Sequence, residues 1–138
     1  MREHYGSIEG MPISLAARAG DFVFTSALAE RGFDPAAVEY DDQGRVTSDG
    51  SDRSNLTIAE ETRGVLEKLK EVLAKADCTL ADVVDVSIWL ADARDFPTVN
   101  EVYREYMGTA DRPCRSVFVV GFMFGCRIEI KAIAYKPL

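Results

Sequence analysis

Arg115 stands at the entrance of a strongly apolar segment, in the stretch DRPCRSVFVV that begins at Asp111. Pro113 favours an extended backbone, so a strand is predicted to begin here with the permanent cation of Arg115 near its first residue. A guanidinium in that place can grip a carboxylate through two parallel hydrogen bonds. From spacing alone a surface ion pair is the alternative, and arginines with such structural roles are the commoner kind.

The second candidate is Glu129, which stands between Ile128 and Ile130 in the segment CRIEIKAIAY. If its face of the sheet is covered by a partner, this carboxylate is partly desolvated and can act as a general base on water. A cross-strand ion pair with Arg127, Lys131 or a partner subunit remains an open alternative.

Weaker candidates accompany these two charges. Asn100, in the first turn of a predicted helix, could orient a substrate, although such amides more often satisfy backbone groups. Ser26 could offer a hydroxyl, but no base lies near it in the sequence, which argues against a nucleophile. Phe122 and Phe124, in GFMFG, could wall a pocket or pack against their own turn.

The other reactive residues argue against several kinds of site. His4 is the single histidine, and the three cysteines have no CxxC spacing: Cys78, Cys114 and Cys126. The sequence therefore predicts no metal centre, no disulfide framework and no histidine-based triad. No glycine pattern of a phosphate loop is found either, and no cofactor is expected. Unpaired cysteines favour a reducing compartment, so a cytoplasmic location is predicted.

Length and charge limit the remaining classes. The 138 residues fit one domain, predicted to span residues 1–138. The net charge of −7 disfavours nucleic acids and anionic membranes as partners. The apolar runs are too short to cross a bilayer, and the first residues lack the apolar core of a signal peptide.

The elements that must position the candidates follow from periodicity. Ile13 to Ala29 is predicted to form two short strands around the turn RAGD, and residues 31–55 a long polar loop with at most a helical turn. A helix follows, with a capping box formed by Thr57 and Glu60. Its apolar stripe comprises Val65, Leu66, Leu69, Val72, Leu73 and Ala76.

Val83 to Leu90 is predicted as the next strand, with Val84, Val86, Ile88 and Leu90 on one face. Asp95 is the predicted N-cap of a second helix, and two strands around GFMFG end the chain. In the last strand the apolar residues that alternate from Cys126 suit a face beneath the helices.

The resulting order, ββαβαββ, predicts an α+β fold in which two helices cover one face of a mixed sheet. The opposite face contains apolar residues too, which predicts burial against further copies of the chain in a homo-oligomer.

Four stretches together resemble the RidA/YjgF family of enamine and imine deaminases, formerly called L-PSP endoribonucleases. These stretches are GDFVFTSALA, residues 61–107 with their segment DFPTVNEVY, RPCRSVFVV and RIEIKAIA, and the resemblance extends from about Ile13 to Ala134. It implies a chorismate-mutase-like fold and a homotrimer with clefts between subunits.

The resemblance also implies roles for individual residues. Arg115 matches the arginine that anchors the substrate carboxylate, and Glu129 the acidic residue that positions or activates water. Asn100 and Ser26 match residues at the pocket. The pocket wall departs from the usual pattern: Ala27 replaces a glycine, Val117 a cysteine, and FMFG a tight LP turn. A tyrosine usual in the N-terminal strand is absent.

The implied function is hydrolysis of a small enamine or imine carboxylic acid to a 2-keto acid and ammonia, with Arg115 and Glu129 as the catalytic pair. The altered wall leaves open a larger, pathway-specific enamine, such as an aminomuconate or an aminoacrylate derivative. A binding or regulatory module for keto acids, without turnover, is a further alternative. Endoribonuclease activity is the alternative that the acidic charge favours least.

Overall fold

The structure is a computed structural model that describes residues 2–30, 35–48, 50 and 56–138. Two α-helices lie in this part of the chain, α1 (Ile58–Ala74) and α2 (Phe96–Met107). The strands are β1 (Arg2–Ser7), β2 (Ser14–Ala19), β3 (Phe22–Thr25), β4 (Glu39–Tyr40), β5 (Val46–Ser48), β6 (Val83–Leu90), β7 (Cys114–Val119) and β8 (Ile128–Tyr135). Short 3-10 turns occupy Pro35–Ala37, Leu80–Asp82 and Ala93–Asp95.

Six of the strands form one mixed sheet in the order β1-β2-β3-β8-β6-β7, and β4 and β5 form a separate hairpin. Neighbours in the large sheet are antiparallel except β6 and β7, which are parallel. Side chains of both helices share one buried core with one face of this sheet. The predicted α+β class, the mixed sheet and the two helices on one face are confirmed.

Helix α1 begins where the capping box was predicted. Thr57 Oγ1 accepts a hydrogen bond from the backbone N–H of Glu60 at 3.1 Å, and the Glu60 carboxylate accepts one from the backbone N–H of Thr57 at 3.4 Å. The residues of its apolar stripe are inaccessible to solvent: Val65, Leu66, Leu69, Val72 and Leu73. They share one core with the equally buried residues of β6 and β8, and the burial of these side chains stabilises the fold.

Leu69→Ala tests that assignment. Leu69 is fully buried, so truncation leaves a cavity and is expected to lower the free energy of unfolding by about 3 kcal/mol. Urea denaturation followed by circular dichroism measures the change. The exposed Glu71 on the same helix supplies the control, because Glu71→Ala is expected to change stability by less than about 0.5 kcal/mol. Equal effects of the two substitutions would contradict the assignment.

The predicted order ββαβαββ omitted β1 and the β4–β5 hairpin. No element was predicted around His4, but β1 pairs along β2 and places His4 opposite Ala17. β1 is an edge strand of mostly exposed polar residues, so it has no alternating apolar pattern to signal it. The hairpin lies within the predicted loop, of which residues 31–34, 49 and 51–55 are outside the described part.

The predicted face of β6 needs one correction. Val84 is exposed, and Val83 takes the buried place at the start of the strand instead. The pairing register between β6 and β8 shifts between Val83 and Asp85, which moves the alternation by one residue. Val86 and Ile88 are buried as expected.

The sheet face opposite the helices is apolar and largely exposed in a single chain. Phe22 lies against Tyr135 with ring centroids 5.2 Å apart, and Trp89 against Phe118 at 6.3 Å. A face of this kind usually packs against a partner, so assembly of identical chains remains the prediction. No helix in the described part of the chain has the length and apolar character needed to cross a membrane.

Candidate active site

Arg115 lies at the start of β7, half-buried, with its guanidinium against α2. Its Nη1 donates a hydrogen bond to Asn100 Oδ1 at 2.8 Å. The guanidinium carbon stands 4.8 Å from the ring centroid of Tyr103 and 5.7 Å from that of Phe96, within cation–π range. Within the described residues the structure shows no ion pair between Arg115 and a carboxylate, so the alternative of a surface ion pair is not what holds this side chain.

A cavity of about 280 Å³ opens beside the guanidinium. Its lining consists of Asn100, Tyr103, Arg104, Gly108, Arg112, Pro113 and Arg115. The lining is mostly polar and contains three permanent cations, so the space suits a small anion. We call it the Arg115 cavity.

Tyr103 forms the floor beneath Arg115 and is 6% exposed. Its hydroxyl is buried and has no hydrogen-bond partner among the described residues. Burial raises the pKa of Tyr103 above its ordinary value, and the positive charges of Arg115 and Arg112 act in the opposite direction. The phenol is therefore neutral near pH 7 and can donate a hydrogen bond to an anion.

Glu129 lies on β8 with its side chain on the other face of the sheet, beside Trp89 in the pairing with β6. It lines a second cavity of about 280 Å³, which we call the Glu129 cavity. The other lining residues are Ala27, Trp89, Val120, Gly121, Phe122, Met123 and Phe124. Glu129 is half-buried, and most of the other residues of this lining are apolar.

A single chain does not bring Arg115 and Glu129 together. Arg115 pairs with Val86 and Glu129 with Trp89, three residues further along β6, which corresponds to about 10 Å along the strand. The two side chains also lie on opposite faces of the sheet. A small ligand that contacts both groups therefore requires the arginine of one copy and the glutamate of another.

Comparison with known proteins identifies the family. The family model described as endoribonuclease L-PSP matches residues 42–136, more than half of the chain. The chain belongs to this family, which is the RidA/YjgF family.

Individual relatives cover different shares of the chain. A RutC family protein of Pyrococcus horikoshii is 38% identical over 126 residues, which is 91% of this chain and 87% of the relative. The human 2-iminobutanoate/2-iminopropanoate deaminase is 39% identical over 80 residues, 57% of this chain and 58% of the enzyme.

A solved structure of a YjgF family member from Mycobacterium tuberculosis is 28% identical, with a TM-score of 0.73 over 98% of this chain and 99% of that one. The chorismate-mutase-like fold implied by the sequence is thus the fold of this RidA-family chain.

Within the RidA fold the weaker candidates separate into groups. Ala27, Phe122 and Phe124 line the Glu129 cavity, and the paired backbones of Leu28 and Ile130 hold Ala27 in place. Asn100 belongs to the Arg115 cavity. Their roles toward a substrate remain predictions.

Two of the predicted pocket residues line neither cavity. The hydroxyl of Ser26 donates to the carbonyl oxygen of Ser14 at 2.8 Å, which ties β2 to β3. Val117 packs against the core, on the helix side of β7.

Charged residues hold the chain segment that precedes Glu129, and the sequence analysis did not predict their contacts. The buried Glu61 accepts a hydrogen bond from the backbone N–H of Arg127 at 2.9 Å. The Arg127 guanidinium pairs with Asp95 at 3.1 Å, so Asp95 binds this cation and its side chain does not cap α2. These contacts hold the chain two residues before Glu129 and thereby orient β8.

Other chemistry has little support in the described residues. No group of three or more histidine, cysteine or acidic side chains there could hold a metal ion. Burial raises the pKa of the Cys78 thiol, which favours the unreactive thiol form. Cys126 is buried and Cys114 is exposed.

Proposed function

We propose that this RidA-family chain hydrolyses small imine or enamine carboxylic acids to 2-keto acids and ammonia, in clefts between the subunits of a homotrimer. The main support is Arg115, a half-buried guanidinium oriented by Asn100 beside an open cavity. The names of relatives point the same way, because several are 2-iminobutanoate/2-iminopropanoate deaminases.

In this proposal Arg115 binds the substrate carboxylate with two parallel hydrogen bonds and fixes the reacting carbon. An enamine first tautomerises to the imine, whose carbon is electrophilic. Glu129 of a neighbouring copy removes a proton from a water molecule, and the resulting hydroxide forms a bond to that carbon. The C=N bond becomes a single bond as the hydroxide adds, and the nitrogen takes up the proton that Glu129 removed from water. The C–N bond of this carbinolamine then breaks, the nitrogen takes the hydroxyl proton and leaves as ammonia, and the carbon retains the oxygen as a ketone.

The proposal of a cleft shared by two copies is based on the separation of the Arg115 cavity from the Glu129 cavity within one chain. Arg115 and Glu129 are on opposite faces of one sheet, and the face that contains Glu129 is apolar and exposed. Burying that face against another copy would remove its aromatic side chains from water and place Glu129 at the seam. The small carboxylate is the only partner besides other copies of the chain that the proposal requires.

The direct test generates 2-iminopropanoate in situ from alanine with an amino acid oxidase and catalase. Semicarbazide traps the imine that remains, so faster hydrolysis appears as less trapped product. The proposal predicts that the protein suppresses trapping and releases ammonia and pyruvate in equal amounts. No acceleration for this imine or for one with a longer side chain would contradict it.

Asn100→Ala is expected to weaken 2-keto acid binding by about fivefold to tenfold, because Arg115 loses the neutral hydrogen bond that orients it. Isothermal titration with 2-oxobutanoate measures the affinity. Asn100→Ser, which retains a short acceptor, should lose less. An unchanged dissociation constant for Asn100→Ala would show that Arg115 needs no support from α2.

A pathway-specific deaminase of a larger enamine is the second candidate. It is favoured by the Glu129 cavity, whose wall is built by Phe122, Met123 and Phe124. Aminomuconate and aminoacrylate derivatives are the substrates to compare with 2-iminopropanoate. Tight keto acid binding without ammonia release would instead indicate a regulatory module. RNA cleavage has the least support, because the chain has a net charge of −7.

A further inference from the structure

The Arg115 cavity contains more positive charge than one carboxylate needs. Three arginines line it, Arg104, Arg112 and Arg115, in a chain with a net charge of −7. Arg104 is already engaged, since its Nη1 lies 2.7 Å from the Glu101 carboxylate. Besides Arg115, one arginine of the lining therefore has, among the described residues, no carboxylate partner that accounts for its charge.

Arg112 is that cation. Its Nη2 donates to the carbonyl oxygen of Thr109 at 3.2 Å, and the structure shows no ion pair for it with any carboxylate in residues 2–30, 35–48, 50 and 56–138. The side chain is exposed, so one neutral contact leaves most of its guanidinium donors available.

Arg112, Arg115 and Tyr103 line the same cavity. Both guanidinium charges favour the ionised form of its phenol, whose pKa is raised by burial. The Tyr103 hydroxyl has no partner in the described part of the chain. Two cations and one unpaired donor thus belong to the wall of one cavity of about 280 Å³. That volume is at the lower end for ligand pockets, which suits a small metabolite better than a polymer.

We infer that Arg112 is a specificity-determining residue that binds a second acid group, so that the preferred substrate is a dicarboxylic imine or enamine. Arg115 holds the carboxylate next to the reacting carbon, and Arg112 holds the distal one. The inference rests on the proposed function, and it narrows the substrate class of the same site.

The test compares 2-oxoglutarate with 2-oxobutanoate by isothermal titration. The wild-type protein is expected to bind the dicarboxylate more tightly. Arg112→Gln should reduce this preference, expressed as the ratio of the two dissociation constants, by about tenfold, because a charge-assisted contact to the distal acid is lost. Arg112→Lys keeps the charge and should restore part of the preference.

Arg45→Gln is the matched control. Arg45 is exposed, pairs with Asp41 at the β4–β5 hairpin and does not line the cavity. Its replacement therefore removes one positive charge from the chain but none from the cavity. The preference should survive in this variant. A preference that is absent in the wild type, or that falls equally in Arg112→Gln and Arg45→Gln, would overturn the inference.

Measuring the hydrolysis of two imines distinguishes a failure of this inference from a failure of the proposed function. Imines made from glutamate and alanine by amino acid oxidases supply the two substrate classes. Hydrolysis of both without a dicarboxylate preference would refute the role of Arg112 and leave the deaminase standing. An Arg112-dependent preference in binding with no hydrolysis of either imine would refute the deaminase and leave the second anchor standing. Failure to bind either keto acid would refute both.

Discussion

Replacing Arg115 with alanine is expected to lower kcat/KM for imine hydrolysis by roughly 100-fold or more, and to abolish measurable 2-keto acid binding. The reason is local. Arg115 is the cation that α2 orients through Asn100 and the ring of Tyr103, and the cavity beside it is where the substrate carboxylate is proposed to bind. Removing it leaves that carboxylate without its paired donors. Trapping with semicarbazide measures the rate, and titration with 2-oxobutanoate measures the binding.

Arg115→Lys separates charge from geometry in this experiment. A lysine keeps the positive charge but cannot donate two parallel hydrogen bonds in a planar fork, so it should recover only part of the lost activity. Gel filtration must show that each variant has the wild-type oligomeric state. Full activity in a correctly assembled Arg115→Ala protein would eliminate Arg115 as the carboxylate anchor.

Glu129→Gln is expected to lower kcat by roughly 100-fold while the affinity for 2-oxobutanoate changes by no more than about threefold. Glutamine has nearly the same shape as glutamate, so the lining of the Glu129 cavity is preserved. It cannot accept a proton from water at neutral pH, so the attacking water is no longer activated. The split between kcat and affinity distinguishes this role from a structural one.

Glu71→Gln provides the matched loss of one negative charge, on the exposed side of α1, and is expected to behave as the wild type. If Glu129→Gln instead keeps its kcat, the carboxylate is not the base. If it loses binding together with turnover, Glu129 acts as a structural part of the cleft.

The helices and central strands could be predicted from the sequence because their signals are local and strong. The stripe on α1 and the capping box at Thr57 each specify a helix with no tertiary information. β1 could not be found this way, since its residues are mostly polar and its pairing with β2 is made by the backbone. The predicted burial of Val84 was wrong for a related reason, because a shift in the pairing register between β6 and β8 leaves no pattern in the sequence.

Some residues of the candidate site could likewise be predicted from the sequence, and others only from the structure. Arg115, Glu129 and Asn100 were singled out by their positions in the predicted elements and then matched to the family motifs, whereas Arg112 and Tyr103 gave neither signal. Only the folded chain shows that the Tyr103 hydroxyl has no partner among the described residues and that Tyr103 lines a cavity with Arg112 and Arg115. The separation of Arg115 from Glu129 by a sheet was equally invisible, because it depends on which face each strand residue takes.

Complementation between two inactive variants tests the central claim, that the arginine of one copy works with the glutamate of another. Arg115→Ala and Glu129→Gln chains with different tags are co-expressed, and mixed trimers are isolated through both tags. In each mixed trimer one interface of three joins an intact Arg115 to an intact Glu129, so about one third of the wild-type activity should return. Mixed trimers as inactive as either parent would contradict the claim.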